Sequence, residues 1–132
     1  MGLEFLRIIE TRNNELSGTI PPTIHENSNL RNISFGHNSM NGTIPESFYN
    51  AQRLKFLNFA DNFFSGTISE RMTSLDLLDL SLQNNFFSGS IPNLFSASLG
   101  MFKQLTFLRH IYSALETSAN FFDFLSYFVR CN

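Results

Sequence analysis

The sequence predicts an α/β-type repeat solenoid, in which short parallel strands form a sheet on the concave face and loops or short helical turns form the convex side. Three observations support this prediction. A hexapeptide of the type apolar-polar-Gly-Thr/Ser-Ile-Pro occurs four times, with Ser in place of Pro in the third copy. An Asn stands two residues before each copy, and apolar residues precede each Asn at fixed distances. Self-similarity with a period of roughly 20–50 residues is typical of solenoids.

The repeat unit can be read backwards from each Asn. The Asn residues follow one another at steps of 24, 24 and 23 residues: Asn14, Asn38, Asn62 and Asn85. Apolar residues recur three, five, eight and often eleven positions earlier, which around Asn62 are Phe59, Leu57, Leu54 and Ala51. The pair at positions three and five has the period of two that makes both side chains of a strand point inward.

The polar and special residues of the unit have physical reasons to be there. An Asn amide both donates and accepts, so it can satisfy buried backbone groups of its own turn and of the adjacent turn. Gly permits backbone conformations that other residues avoid, and Pro suits a turn in which no N–H is needed. In the third repeat Ser69 replaces this Pro, which leaves the turn less constrained. We therefore expect the four Asn residues to form a structural ladder.

The period divides the chain into repeats at 3–26, 27–50, 51–73 and 74–92 onward. Residues 93–132 are expected to form a degenerate fifth repeat and an irregular C-terminal segment. Two registers are open for the fifth repeat. Either Ser113 occupies the ladder position, in phase with Leu99-Gly100, or His110 does.

Composition excludes several classes of function. The 132 residues suffice for one domain, and a net charge of -2 gives no electrostatic reason to bind nucleic acid or an anionic membrane. Cys131 is the only cysteine, so no internal disulfide can form. No apolar run approaches the ~20 residues of a spanning helix, and the first residues lack the pattern of a signal peptide. The 16 Phe residues predict a core rich in phenylalanine.

No group of residues suggests catalysis. The three histidines, His25, His37 and His110, lie far apart in sequence without metal-ligand spacing. No Gly-rich phosphate loop or kinase motif is present, and the acidic pair Asp76 and Asp79 fits a solvated face. We predict a chain that is no enzyme and that holds neither metal nor cofactor.

What remains is a binding surface. Outward strand residues of successive repeats should align in columns on the concave face, where solenoids bind proteins and peptides. The candidate ligand residues are short and polar: Glu10, Arg12, Asn13, Ser34, His37, Asn58, Asp61, Ser81, Gln83 and Asn84. Two N-glycosylation sequons begin at Asn32 and Asn41 and become acceptors if the chain is secreted. A glycan on Asn32 would compete with a ligand.

The unit L-x-x-L-x-x-L-x-L-x-x-N-x-L-x-G-x-I-P resembles the plant-type leucine-rich repeat (LRR) over residues 3–92. The tail, with Glu116-Thr117-Ser118 and Phe124-Leu125 before Cys131, resembles a segment of plant LRR receptor kinases, of a subfamily that includes immune receptors. This resemblance implies an ectodomain that lies outside the plasma membrane or in the cell wall and acts in defence or developmental signalling. Its implied partners are a protein or peptide ligand and a co-receptor, and any kinase domain lies outside these residues.

Two other functions fit the same repeats. A secreted LRR inhibitor of a cell-wall-degrading enzyme uses this repeat type as well. The paired-cysteine caps that usually flank secreted repeats of this type are absent from these residues. A truncated gene product without independent function is therefore the other alternative.

Overall fold

The computed structural model describes residues 5–26 and 29–89, and in this part of the chain successive repeats follow the same path. Each repeat begins with a short strand, turns, and continues into a second short strand. A 3₁₀-helix then completes each of the first three repeats. These helices are η1 Pro22–Glu26, η2 Glu46–Asn50 and η3 Glu70–Ser74.

The eight strands form two parallel sheets of four strands each. The first, which we call the concave sheet, consists of β1 Ile8–Glu10, β3 Asn32–Ser34, β5 Phe56–Asn58 and β7 Asp79–Ser81. The second, the lateral sheet, consists of β2 Ser17–Gly18, β4 Ser39–Gly42, β6 Phe63–Thr67 and β8 Phe86–Ser88. Neighbouring strands come from consecutive repeats in both sheets.

The structure confirms the concave sheet and the short helical turns, but the lateral sheet is an addition that the sequence pattern did not predict. Its strands are two to five residues long. In β4 the exposed Ser39 and Asn41 flank the buried Met40, which is a period of two over three residues only. The predicted fifth repeat, its registers at His110 and Ser113, and the rest of 93–132 lie outside the described residues.

The core is a stack of equivalent side chains, one layer per repeat. In the concave sheet Ile33, Leu57 and Leu80 are cross-strand partners, and each is at most 1% exposed. Phenylalanine fills the space between the two sheets. Phe59, fully buried, lies 5.6 Å from the ring of Phe35 in a parallel stack. It also contacts the rings of Phe48 and Phe64 at centroid distances of 5.7 and 5.1 Å.

Asn62 shows how one amide joins two repeats. Its Nδ2 donates to the carbonyl oxygens of Phe35 in the preceding repeat, at 2.9 Å, and of Ala60 in its own repeat, at 3.1 Å. Its Oδ1 accepts from the backbone N–H of Met40 at 2.9 Å. The side chain is only 6% exposed, so these backbone groups have no access to bulk water as an alternative partner.

The same arrangement recurs at Asn38 and Asn85. Asn38 bonds Thr11 and Leu16 of the repeat before it, and Asn85 bonds Phe59 and Phe64, with distances of 2.8–3.0 Å. Asn14 is different, because its described side-chain bonds reach only Thr11 and Arg12 of its own repeat and its side chain is exposed.

Ser69 has the backbone conformation expected of the Pro that it replaces. Its φ and ψ of -67° and 144° match the -68° and 142° of Pro45 one repeat earlier. Its side chain also caps η3 by accepting from the N–H of Arg71 at 3.3 Å. The turn is therefore fixed by a hydrogen bond where Pro would have fixed it by its ring, a restraint that the sequence reading missed.

We expect Asn62→Ala to lower the free energy of unfolding by about 1–3 kcal/mol, because buried backbone donors and acceptors lose their partner. Asn14→Ala is the matched control, since its side chain is exposed and joins no second repeat; we expect a change within about 0.5 kcal/mol. Urea unfolding of the full chain and both variants measures the difference. Equal losses would show that the bridge between repeats adds nothing.

Phe59→Ala should cost about 3–5 kcal/mol, because a fully buried ring leaves a cavity between the sheets. Phe59→Leu should cost distinctly less, since the fourth repeat already carries Leu82 in the equivalent slot, where it is 1% exposed. Unfolding midpoints of the two variants test this order. A Leu variant as unstable as the Ala variant would contradict the layered core described above.

Candidate ligand-binding surface

The parallel register of the concave sheet aligns its outward residues into rows that run along the solenoid. Four rows follow one another across the face. The first row is Ile8, Asn32, Phe56 and Asp79, and the second is Glu10, Ser34, Asn58 and Ser81. The third row is Arg12, Gly36, Ala60 and Gln83, and the fourth is Asn13, His37, Asp61 and Asn84.

The two middle rows form a low floor over repeats two to four. Ser34, Ser81 and Ala60 are 5%, 7% and 2% exposed, and Gly36 is buried as well. On one side of the floor Phe56 is 44% exposed. We call this low strip between the first and fourth rows the channel; besides the four small residues it contains the half-buried Asn58 and Gln83.

Burial of Ser34 and Ser81 differs from the sequence prediction, which placed both among exposed ligand contacts. A hydroxymethyl group is short, and Ser34 lies in its row between the longer side chains of Glu10 and Asn58. Its Oγ has no hydrogen-bond partner within residues 5–26 and 29–89. Gln83 of the third row is half-buried, and its Oε1 has no partner in the same part of the chain.

Asn58 is held in place by its own backbone and by a glycine. Its Oδ1 accepts from the N–H of Ala60 at 3.0 Å. A Cβ added to Gly36 would come within 2.8 Å of that same Oδ1, so the amide of Asn58 occupies space that only a glycine leaves free. The half-buried amide is therefore a pre-positioned polar group in the channel floor.

The sequence pattern predicts strand positions for the fourth row, but the structure places this row in the turn after the strand. Asn13, His37, Asp61 and Asn84 all have positive φ, between 55° and 57°. Asn, Asp and His are the non-glycine residues that tolerate this left-handed conformation best. The backbone therefore restricts the residue types of this row, whether or not a ligand contacts them.

Polar side chains of the fourth row also bind one another. Asp61 Oδ1 accepts from Asn84 Nδ2 at 2.6 Å, and Asp61 Oδ2 lies 3.4 Å from His37 Nδ1. The side chains of His37 and Asp61 are 52% and 27% exposed. This border of the channel is thus a connected line of hydrogen-bonding groups across three repeats.

The end of the channel at the first repeat has exposed charged side chains. Glu10, Arg12 and Asn13 are exposed there. Glu10 Oε1 accepts from Asn32 Nδ2 at 2.8 Å, so the first sequon has its amide engaged on the concave face. Asn41 of the second sequon is exposed on the lateral sheet instead.

The sequence pattern places Ile8 and Phe56 outward, but neither is among the candidate ligand residues, and the exposure of Phe63 and Phe86 was not predicted. Ile8 and Phe56 of the first row are 55% and 44% exposed, and Phe63 and Phe86 of the lateral sheet are 51% and 65% exposed. A signal was available for the last two. In each Asn-Phe-Phe triplet, at 62–64 and 85–87, the second Phe fills the inward slot, so alternation directs the first outward.

Within 5–26 and 29–89, no three His, Cys, Asp or Glu side chains converge as a metal site would require. In the same ranges no helix has the length and apolar character needed to cross a membrane.

Comparisons with known proteins agree with the fold. The family model for the leucine-rich repeat matches residues 29–51 and 76–98. No curated protein matches the chain. Among solved structures, the LRR ectodomain of the receptor kinase SOBIR1 from Arabidopsis thaliana is 32% identical with a TM-score of 0.67, and the match covers 70% of this chain and 50% of that one.

Two further structures show the range of the similarity. The BIR2 ectodomain from Arabidopsis thaliana is 32% identical with a TM-score of 0.63, over 66% of this chain and 46% of that one. The Arabidopsis receptor kinase HAESA, solved with the peptide hormone IDA and the co-receptor SERK1, is 32% identical with a TM-score of 0.67. That match covers 71% of this chain and 16% of HAESA. The chain spans about half the length of the first two.

The repeat period, the parallel sheets and these matches define the class of protein. The chain folds as a leucine-rich repeat solenoid, and its repeats resemble part of the ectodomain of plant LRR receptor kinases. The matched parts of SOBIR1 and BIR2 are their ectodomains.

The positive φ of the fourth row can be tested as the reason for its residue types. Asp61→Gly should change the free energy of unfolding by less than about 1 kcal/mol, because it keeps the backbone conformation and loses only partly exposed pairs. Asp61→Val should cost about 1–2 kcal/mol more, since a β-branched residue is strained at positive φ. Urea unfolding compares the two. Equal stabilities would contradict a backbone restriction on this row.

Proposed function

We propose that the concave face of this chain binds an extended peptide or protein segment, as part of the extracellular LRR region of a plant receptor-like kinase or receptor-like protein. The role in defence or developmental signalling belongs to this proposal. Structures of similar proteins support it. HAESA is solved with a peptide hormone and a co-receptor. GASSHO1/SCHENGEN3, 31% identical over 70% of this chain and 11% of that one, is solved with CASPARIAN STRIP INTEGRITY FACTOR 2.

The observation that supports the proposal most directly is the channel itself. Small buried residues, Ser34, Gly36, Ala60 and Ser81, floor it over three repeats. An extended peptide laid along this floor would direct successive side chains to opposite sides. One side offers the exposed ring of Phe56 and the other the polar fourth row, so an apolar residue and a hydrogen-bonding residue would alternate.

The charged side chains along the channel favour one orientation of a bound peptide. Arg12 is exposed at the first repeat together with Glu10, whose carboxylate accepts from Asn32. Asp79 is exposed at the fourth repeat, and the half-buried Asp61 lies on the opposite border of the channel in the third. An anionic group of the ligand is favoured at the first end and a cationic group at the other. A peptide with an acidic and a basic residue several positions apart fits this polarity.

A co-receptor is the second kind of partner that the proposal includes. BIR3, 34% identical over 64% of this chain and 46% of that one, is solved in complex with SERK2. A co-receptor contact needs surface outside the channel, and the exposed lateral sheet provides it. The extracellular side of the plasma membrane or the cell wall is the location that such partners require.

The channel can be tested with a displayed library of short random peptides, selected on the secreted full chain. We expect enriched peptides to pair one apolar residue with a basic residue, and Phe56→Ala to weaken their Kd about tenfold, or about 1.4 kcal/mol. Asp79→Ala should weaken only those with the basic residue.

Phe63→Ala is the matched control, because Phe63 is equally aromatic and exposed but lies on the lateral sheet. Its Kd should equal that of the unaltered chain. Peptides whose affinity falls with Phe63→Ala and not with Phe56→Ala would overturn the concave site. Failure of any peptide to be enriched on a folded chain would overturn peptide recognition.

A further inference from the structure

The outer face of the lateral sheet differs chemically from the concave face. Strands β2, β4, β6 and β8 contain no Asp, Glu, Lys, Arg or His. Phe63 and Phe86 project from neighbouring strands, 51% and 65% exposed. Their rings stack with centroids 6.0 Å apart and planes inclined by 18°. An uncharged surface with two exposed aromatic rings calls for a partner that is uncharged as well.

The Phe63 ring stacks on that of Phe86, one repeat later, and on no other aromatic ring of residues 5–26 and 29–89. The residue at the same place in the preceding repeat is Ser39, which follows its ladder Asn as Phe63 follows Asn62. Ser39 has no group large enough to cover an aromatic ring. The face of the Phe63 ring toward the second repeat, which we call the open face, therefore has no aromatic partner among these residues.

The second sequon lies beside that open face. Asn41, of Asn41-Gly42-Thr43, is exposed in β4 and is the cross-strand partner of Phe63 in β6. In both strands the burial alternates, and the intervening Met40 and Phe64 point into the core. Asn41 and Phe63 therefore project from the same outer face, on strands that are about 4.8 Å apart.

The first sequon has a different environment. Asn32 is half-buried in the centre of the concave sheet, and its Nδ2 donates to Glu10 Oε1 at 2.8 Å. A glycan there would break this bond and stand at the border of the channel. Its neighbours in the row are Ile8 and the exposed Phe56, so Asn32 differs from Asn41 by its bond to Glu10 and its place at the channel, not by the lack of an aromatic neighbour.

We propose that Asn41 carries an N-linked glycan whose first N-acetylglucosamine packs on the open face of Phe63 and continues the Phe63–Phe86 stack. The sugar ring presents C–H groups, which are attracted to the negative face of an aromatic ring. Attachment uses a polyprenyl-pyrophosphate-linked oligosaccharide as donor. The bond from sugar C1 to the pyrophosphate oxygen breaks, C1 bonds to Asn41 Nδ2, one Nδ2 proton is lost, and the polyprenyl pyrophosphate leaves.

This inference depends on the extracellular location proposed above but not on the concave ligand. The two proposals can therefore fail separately. A chain that binds peptides in the channel yet carries no sugar on Asn41 would contradict only the glycan proposal. A chain with the packed glycan and no peptide affinity would contradict only the proposed peptide binding.

The test uses the full 132-residue chain, secreted from plant cells behind a cleavable signal peptide, with isotope-labelled sugars. Release of the glycan in ¹⁸O-labelled water marks the occupied Asn for mass spectrometry. NMR then measures the C–H resonances of the first sugar. We expect the label on Asn41 and an upfield ring-current shift of these resonances, which Phe63→Ser abolishes.

Phe56→Ser is the matched control, because it removes an exposed ring from the concave sheet, and the shift should remain. Enzymatic removal of the glycan should lower the melting midpoint of the unaltered chain but not that of Phe63→Ser. Label on Asn32 alone, or an Asn41-linked sugar without the shift in the unaltered chain, would overturn the proposal. So would a dimer of the glycosylated chain that Phe63→Ser dissociates, since a second copy would then occupy the stack.

Discussion

The solenoid depends on one amide per repeat that bonds the backbone of two repeats at once. Asn62 reaches Phe35, just beyond the end of strand β3, and Met40, in strand β4, so it spans the turn that joins the concave sheet to the lateral sheet in the preceding repeat. The bond thus fixes both the stacking of repeats and the angle between the sheets. Every surface feature described above inherits its regular spacing from this bridge.

The parts of the fold that repeat could be predicted from the sequence, because each repetition adds evidence. Inward positions such as Leu57, and the ladder position of Asn62, occur four times in phase. The lateral sheet could not be predicted in this way, since its strands show alternation over only two to five residues. Ser69 was misjudged for a related reason: its capping bond to Arg71 depends on one side chain that no other repeat carries in that place.

The surface was harder to predict than the core. The face of the sheet to which a side chain points follows from the alternation of apolar and polar residues. Its burial depends on the length of the neighbouring side chains, which the alternation does not predict. Ser34 points to the concave side and is still covered. Phe56 was recognised as outward, yet its importance as an exposed ring in a floor of small residues emerges only when the rows are seen together. A polar composition alone therefore predicts which residues point to the concave side but not which of them are exposed.

The positive φ of the fourth row has a consequence for how proteins built like this one can diverge. Four successive repeats hold Asn, His, Asp and Asn at φ near 56°. Chains with this fold can exchange residues freely in the first row, where the backbone is extended, but only among a few residue types in the fourth. Sequence divergence is therefore expected mainly on the Phe56 side of the channel, while the opposite side keeps a common, hydrogen-bonding character.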